Sequence, residues 1–389
     1  MYVHSTEKGN TTGYPALDQM MDNPFDLWED HSKNSSMLTL ASGILSDEQF
    51  YIISLFIIYG SQIINTCAII ANSLNIAVFV KLGFSEPSYI SLTAMAVCDF
   101  TLAVLLTWSN FCFWLTYHNI RLPFHSTNVS YVTGGTQWVF LSSTVAWITA
   151  FISFERCLCI LVPLKVRRLI TPRDTFVAML IIILLTFCPS FFTYIRYKFV
   201  WEFNPYLNLT ILNTIPVNSE FVMLFEKISI AICGVIQPLL AFSIVLICTV
   251  LLVVQLRKIS SWRMSVMSAK SQWIQHEENS AASSSAAGAR ISEKEERLVR
   301  MVVAIATIFI VSYVPTCIML LCYVLFDEFD LFGVYRRLLL ATGYIISLGQ
   351  PISGSLNIII YYKMASKFRS VFRRLVRLDR QEQESHQLE

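Results

Sequence analysis

Seven apolar stretches alternate with short polar segments along the chain, at about 52–81, 88–116, 133–162, 174–195, 222–256, 298–325 and 337–362. Each is long enough for a helical crossing of a bilayer, which takes roughly 20 largely apolar residues. Hydrocarbon offers no partner for a backbone amide, so such segments must satisfy their amides internally, as helices. The pattern predicts an all-α fold, a seven-transmembrane helix bundle over 51–362. Residues 1–50 form a polar tail ahead of it. Residues 257–296 form the longest polar loop, whose centre, NSAASSSAAGA, reads as partly disordered. After Tyr361 the period changes: Met364, Phe368, Val371, Phe372 and Leu375 recur at helical spacing among Lys363, Lys367, Arg373, Arg374 and Arg377. Residues 363–389 therefore read as an amphipathic helix lying on anionic membrane lipid, followed by a short tail.

Charge orients the bundle. The net charge is only +2 and 14% of residues are charged, against about 25% in an ordinary globular domain. Basic residues gather on one side: Lys165, Arg167, Arg168 and Arg173 after the third stretch, Arg257 to Arg300 after the fifth, and Lys363 to Arg380 in the tail. Short loops rich in Lys and Arg stay in the cytoplasm. The N-terminus is thus expected outside and the C-terminus inside, in a multi-pass protein of the plasma membrane. Four glycosylation sequons, at Asn10, Asn34, Asn128 and Asn208, all fall on the side that charge places outside. Residues 1–50 lack the basic–apolar–small-residue order of a removable signal peptide, so the first stretch is expected to serve as the targeting signal. None of the ten cysteines is paired at metal-ligand spacing. No metal or other cofactor is expected, and nothing points to nucleic acid or to enzymatic chemistry.

Within this frame a small set of residues stands out. The third stretch ends in Glu155-Arg156-Cys157, with Pro163-Leu164 following. Asn72 and Asp99 are polar groups at membrane depth. A charged side chain there costs about 2.5–3.5 kcal/mol on insertion scales, so it usually faces the bundle interior and has a role. Pro238 and Pro315 interrupt the fifth and sixth stretches, each removing a backbone hydrogen bond and permitting a kink. The sixth carries Phe309-Ile310-Val311-Ser312-Tyr313-Val314-Pro315, and the seventh ends with Asn357, Tyr361 and Phe368. Blander readings exist for each. Arg156 could snorkel to the interface, Asp99 could be neutral and bonded across to Asn72, and Pro315 could be a static kink.

Taken together, the set resembles the rhodopsin-like (class A) G-protein-coupled receptors. Their third helix ends in Asp/Glu-Arg-Tyr followed by Pro-Leu, their sixth carries Phe-x-x-Cys-Trp-x-Pro, and their seventh ends in Asn-Pro-x-x-Tyr. The strings ISFERCLCILVPLKV and NIIIYYKMASKFR further resemble molluscan receptors described as chemosensory or related to neuropeptide receptors. The resemblance implies a coupling switch at Glu155, Arg156, Pro163, Leu164, Asn357 and Tyr361. It implies a conformational core at Asn72, Asp99, Pro238, Phe309, Tyr313 and Pro315, with a sodium-linked role for Asp99. It also implies an inactive-state latch between Arg156 and Glu295, although Glu295 sits in a charge run that could simply be solvated. Departures are clear. Cys157 stands for the tyrosine, Tyr313 for the tryptophan and Ile358 for the proline. Val145 and Gly354 stand where sodium-binding hydroxyls are common. Tyr131 occupies the position of the helix-three disulfide cysteine, and 189–232 contains no cysteine to pair with it.

The functional expectation is a receptor that binds an extracellular peptide or small chemosensory molecule. It would activate a heterotrimeric G protein by outward movement of helix six, with arrestin recruited through the loop serines. Gln137, Trp138, Ser142, Thr316, Leu320 and Tyr344, with Tyr313, are the expected lining of an aromatic, uncharged ligand pocket. Arg196, Lys198, Glu226 and Lys227 are expected on its charged rim. Aromatic residues on such faces are also common in plain packing. A seven-helix transporter or channel is the competing class; it predicts paired Gly/Pro breaks, an internal repeat and several intramembrane charges.

Overall fold

The structure, a computed structural model, describes residues 47–386 apart from 119, 121, 163–169, 205–207, 218, 274–281 and 330–334. Helix α1 (Asp47–Leu82) turns at Gly83, whose φ of 78° is open to glycine, into α2 (Pro87–Tyr117), which starts with a proline where no amide partner is lost. A short helix (Ser126–Ser130) and a π-helical turn (Tyr131–Gly135) lead into α3 (Thr136–Leu161). Then come α4 (Pro172–Phe187), a short helix (Ser190–Ile195), and a hairpin of β1 (Tyr197–Asn204) and β2 (Leu209–Pro216). A helix (Glu220–Ile230) and a π-helical segment (Ala231–Ile236) precede α5 (Gln237–Trp273). The chain continues as α6 (Ala282–Leu325), α7 (Arg336–Ser347), α8 (Gly349–Met364) and α9 (Ser366–His386).

Among the described residues five spans are long and apolar enough, by length and composition, to cross a membrane: Ile52–Leu82, Pro87–Thr116, Asn128–Cys159, Glu220–Gln255 and Val303–Leu325. The fourth and seventh crossings are broken, and prolines explain both breaks. Pro189 has no amide to extend α4, so the fourth crossing resumes as the short helix at Ser190. Pro351 withholds its amide from the carbonyl four residues back, and the seventh crossing divides at Leu348 into α7 and α8. A single regular helix over 337–362 is thus corrected, although the Asn357–Tyr361 stretch within α8 is unbroken. The π-helical segment before α5 has a similar origin. Pro238 cannot donate to Gly234, and widening the preceding turn accommodates that loss.

The helices form a ring around α3. Helix α1 packs on α2 and α8, α2 on α4, α5 on α6, and α6 on α8. Of the Asn128–Cys159 window 72% is buried, against 22–44% for the other four spans, which puts α3 at the centre. Outward faces carry exposed Phe56, Ile63, Leu184, Ile247, Val311 and Ile318, a surface suited to hydrocarbon rather than water.

Two regions differ from the sequence reading. Most of 257–296 is helical, because α5 runs to Trp273 and α6 begins at Ala282; the Ala residues of that segment are strong helix formers. Residues 274–281 lie outside the described residues. The hairpin is the other addition to an otherwise helical fold, with Tyr197 paired to Pro216 and Asn204 to Leu209. Residues 197–204 alternate aromatic Tyr197, Phe199, Trp201 and Phe203 with Lys198, Val200, Glu202 and Asn204, a period-two pattern. Asn208 makes the turn in left-handed conformation, with φ 50°.

Helix α4 is started by a capping box. The Thr171 hydroxyl accepts from the Asp174 amide, while the Asp174 carboxylate accepts from the Thr171 hydroxyl and amide. Those bonds hold the Asp174 carboxyl below its ordinary 3.8. Their contribution is complete above that ordinary value and is lost as pH falls through the lower folded one. Thr171→Ala is expected to lower the melting temperature of the purified protein by about 1–3 °C, with a smaller difference in acid; scanning fluorimetry against pH reads both.

Candidate functional site

Three layers of polar residues line the bundle interior. In the middle, Asn72, Asn75, Asp99 and Asn357 are buried together. Asn357 Nδ2 donates to Asp99 Oδ2 at 3.3 Å, linking α8 to α2. Asn72 turns back on its own helix, donating to the Ala68 carbonyl at 3.0 Å and accepting from Asn75 at 3.3 Å. The Asp99 partner is therefore Asn357, and the bond across to Asn72 is not made. Gly354 lets these groups converge: a Cβ there would lie 3.1 Å from Asp99 Cγ and 3.2 Å from Asn72 Nδ2. Gly354→Leu is expected to wedge α8 from α1 and α2 at a cost of about 1–3 kcal/mol, measured as a lower melting temperature of the purified protein.

At the end of the bundle bearing α9, Glu155 is buried beneath the start of α2. Ser88 Oγ donates to Glu155 Oε1 at 2.6 Å and Ser91 Oγ lies 3.4 Å from Oε2. Arg156 Nη2 stands 3.5 Å from Glu155 Oε1, and Arg156 Nε has no partner among the described residues. Cys157 is buried in the cluster that holds Cys248, Leu252 and Ile305. Tyr361 belongs to an aromatic trio: its ring is 5.3 Å from Phe79 and 5.6 Å from Phe368, which are themselves 5.3 Å apart. That trio joins α1, α8 and α9. A surface bond between Lys367 and Glu86 at 2.8 Å adds a tie from α9 to α2 and raises the Lys367 ammonium above its ordinary value. Pro163 and Leu164 lie outside the described residues, as does the side chain of Glu295, although its backbone is part of α6.

Towards the hairpin end, Phe309 and Tyr313 stack at 5.4 Å on α6, one turn below Pro315 and beside Ala146, Ala241 and Val245. Ser142 donates to Gln350 Oε1 at 2.7 Å, and Ser143 to Gln237 Oε1 at 2.8 Å, so α3 bonds to α8 and to α5. Trp138 lies one turn from Ser142 and packs on Leu102, Leu141 and Met319. Trp138 and Ser142 are thereby brought to one region, with Gln350 added, while Thr316 is buried on α6 three residues before Met319 of the Trp138 cluster. Gln350 was legible as an amide in an apolar run, next to a proline. The remaining expected pocket residues are dispersed. Gln137 bonds to the Val132 carbonyl at 2.7 Å and to the Tyr194 hydroxyl. Leu320 packs toward Ile230 and Val235, and a Cβ on Gly234 would come within 2.8 Å of it. Tyr344 is set edge-on against Phe113 at 5.2 Å.

The hairpin is locked down without a disulfide; all ten cysteines are free. Tyr131 packs edge-on against Tyr197 at 5.4 Å. Arg196 Nε bonds Glu226 Oε2 at 3.0 Å, Arg196 Nη1 donates to the Val217 carbonyl, and the Tyr197 hydroxyl donates to Glu226 Oε1 at 3.2 Å. Burial, with Tyr131 and Glu226 alongside, holds the Tyr197 hydroxyl well above its ordinary value, so it stays a donor. Arg196 and Glu226 are buried, which corrects their reading as rim charges. The sequons also divide. Asn208 is exposed at the hairpin turn, and Asn10 and Asn34 lie outside the described residues. Asn128 is buried with its amide donating to Asn213 at 2.8 Å, a placement that withholds the nitrogen a glycan would need.

Among the described residues no group of three or more His, Cys, Asp or Glu is arranged to hold a metal. No curated protein matches the chain. A family model described as serpentine type 7TM GPCR chemoreceptor Srw matches residues 59–379, from the first turns of α1 to within α9.

Proposed function

The chain belongs to the Srw family of serpentine seven-helix G-protein-coupled chemoreceptors, and from that premise we propose that it is a plasma-membrane receptor that couples an extracellular chemical ligand to a heterotrimeric G protein. In this reading the N-terminus and hairpin face outside and α9 lies on the cytoplasmic leaflet. The ligand favours a conformation in which α6 swings away from Arg156, and the opened face receives the G protein. Arrestin and anionic lipid are the further partners, through the α5–α6 connection and the basic face of α9. The rhodopsin-like assignment of Glu155, Arg156, Asp99, Pro315, Asn357 and Tyr361 belongs to the same proposal.

The observation that carries it is the arrangement at the α9 end. Glu155 is fixed by α2 hydroxyls, which leaves the neighbouring guanidinium placed at the inner mouth with donors to offer. The deciding experiment uses the purified full-length chain. Ligand-dependent GTP exchange on a reconstituted G protein supports the receptor; solute flux in liposomes without exchange would favour a transporter.

Glu295, on α6, is proposed to restrain Arg156 at rest. An ion pair near the surface contributes only about 0–1 kcal/mol, yet that is enough to shift a finely balanced equilibrium several-fold. Glu295→Ala is expected to raise basal exchange two- to five-fold by about that energy, read in the absence of ligand; an unchanged baseline counts against the restraint.

A further inference from the structure

The receptor reading leaves the chemistry of the ligand open, and four buried polar groups narrow it. Trp138 is 8% exposed, Thr316 0%, Tyr313 3% and Gln350 7%. Trp138 Nε1, Thr316 Oγ1, the Tyr313 hydroxyl and Gln350 Nε2 have no hydrogen-bond partner among the described residues. Buried polar groups are usually paired, because leaving one dry forfeits its hydration with nothing in return. Several unpaired groups in one neighbourhood therefore call for an account.

Packing places three of them together. Ser142 bonds Gln350 Oε1, which commits that oxygen and leaves the amide nitrogen. Trp138 is one turn from Ser142 toward the hairpin end, on the same face of α3. On α6, Ser312 meets the α7–α8 joint, since a Cβ on Gly349 would lie 2.8 Å from the Ser312 carbonyl oxygen. Thr316 is one turn from Ser312, again toward the hairpin end. Met319, three residues on from Thr316, packs against the Trp138 cluster and would be 3.5 Å from a Cβ on Gly343 of α7. Helices α3, α6, α7 and α8 thus converge where Trp138, Thr316 and Gln350 present unused hydrogen-bonding capacity.

The capacity is mostly that of donors. An indole nitrogen and an amide nitrogen can only donate, and a threonine hydroxyl can do either. Among the described residues the buried charged side chains are Asp99, Glu155, Arg196 and Glu226, and none of them answers a charged guest here. Asp99 lies beside Gly354, one turn deeper than Gln350, and already accepts from Asn357. Arg196 and Glu226 are committed to each other at the hairpin. A buried ammonium would meet donors, and a buried carboxylate would find no cation.

We infer that this convergence of α3, α6 and α8 binds an uncharged small molecule through its hydrogen-bond-accepting oxygens, such as a ketone, lactone, ester or amide. The inference rests on the receptor reading for its biological meaning but not for its test, which needs no G protein.

The test is saturation-transfer NMR and thermal shift on the purified full-length receptor at millimolar probe. The probes are cyclohexanone and δ-valerolactone, set against cyclohexylammonium, cyclohexanecarboxylate and methylcyclohexane. The carbonyl probes are expected to bind. Thr316→Val combined with Gln350→Met and Ser142→Ala is expected to weaken them about ten-fold while leaving the ligand-free melting temperature equal or higher, because the dry polar atoms go together with the Ser142 hydroxyl that loss of Gln350 would orphan. Trp138→Phe, which keeps the ring and loses the donor, gives a second, independent weakening. Equal or tighter binding of a charged probe, carbonyl binding indifferent to these variants, or no carbonyl binding at all would overturn the inference. Carbonyl binding by a chain that carries solute across liposomes without G-protein exchange would leave the inference standing and sink the receptor reading.

Discussion

Arg156→Ala is expected to abolish ligand-driven nucleotide exchange while leaving the amount of receptor at the cell surface unchanged. The two halves follow from different contacts. Glu155 does not depend on Arg156 for its burial, because Ser88 and Ser91 already sit against both carboxylate oxygens. Truncating the arginine removes one contact at 3.5 Å and a partly buried guanidinium whose Nε is unpaired. The fold therefore keeps its ties between α2 and α3. Coupling loses the group that would reach the G protein. Hydrogen bonds from a charged donor contribute about 1.5–3 kcal/mol each, so losing two suffices to bring exchange to its basal level. Arg156→Lys keeps the charge but not the planar fork, and is expected to recover only part of the signal. A surface-display assay run beside GTPγS binding separates the two halves. Exchange retained by the alanine variant would remove Arg156 from the switch.

The second large effect is structural. Arg196→Ala is expected to destabilise the protein by about 3–5 kcal/mol, the usual cost of leaving one partner of a buried ion pair alone. Arg196 and Glu226 side chains are 7% and 8% exposed, so water cannot take the place of the guanidinium beside the Glu226 carboxylate. The pair also holds the backbone: Arg196 bonds the Val217 carbonyl just after β2, and Tyr197 bonds Glu226. Its loss should free the hairpin as well as lower the melting temperature. The double variant Arg196→Met with Glu226→Leu removes both charges and is expected to regain most of the stability, since well-packed apolar pairs often replace buried ion pairs without loss. Thermal melts of the purified variants, with hydrogen exchange followed at 197–216, report both effects. A single variant as stable as the original would show that the hairpin does not need the pair.

How much of this was legible in the sequence depended on whether the determining signal was local. Hydrophobic runs identified the seven crossings because length against a bilayer is a one-dimensional property. The divided seventh crossing was also written locally, in Gly349-Gln350-Pro351, but a hydropathy run does not register a missing amide. The hairpin was legible as period-two alternation at 197–204, a period that a search for bilayer-length apolar runs passes over. Arg196 and Glu226 are 30 positions apart; only the hairpin folding over the bundle buries them, so they read as rim charges. Asn128 carries a sequon, but its burial depends on Asn213, which arrives from β2. In the candidate site, Asn357 meets Asp99 across 258 residues, and the aromatic trio of Tyr361 could not be inferred without the turn from α8 into α9. The family match at 59–379 places the chain among chemoreceptors.

The central claim is that α6 moves away from the core when the receptor engages its G protein, and a distance between the helix ends tests that directly. Spin labels at Val80, 53% exposed near the end of α1, and at exposed Arg300 on α6 would span the relevant face. Exposed Cys67 and Cys188 would be replaced by serine. Pulsed electron resonance on the full-length chain is expected to give a separation longer by several ångströms when ligand and nucleotide-free G protein are bound, and no lengthening in the Arg156→Ala background. An unchanged separation in a complex that still exchanges nucleotide would contradict the account.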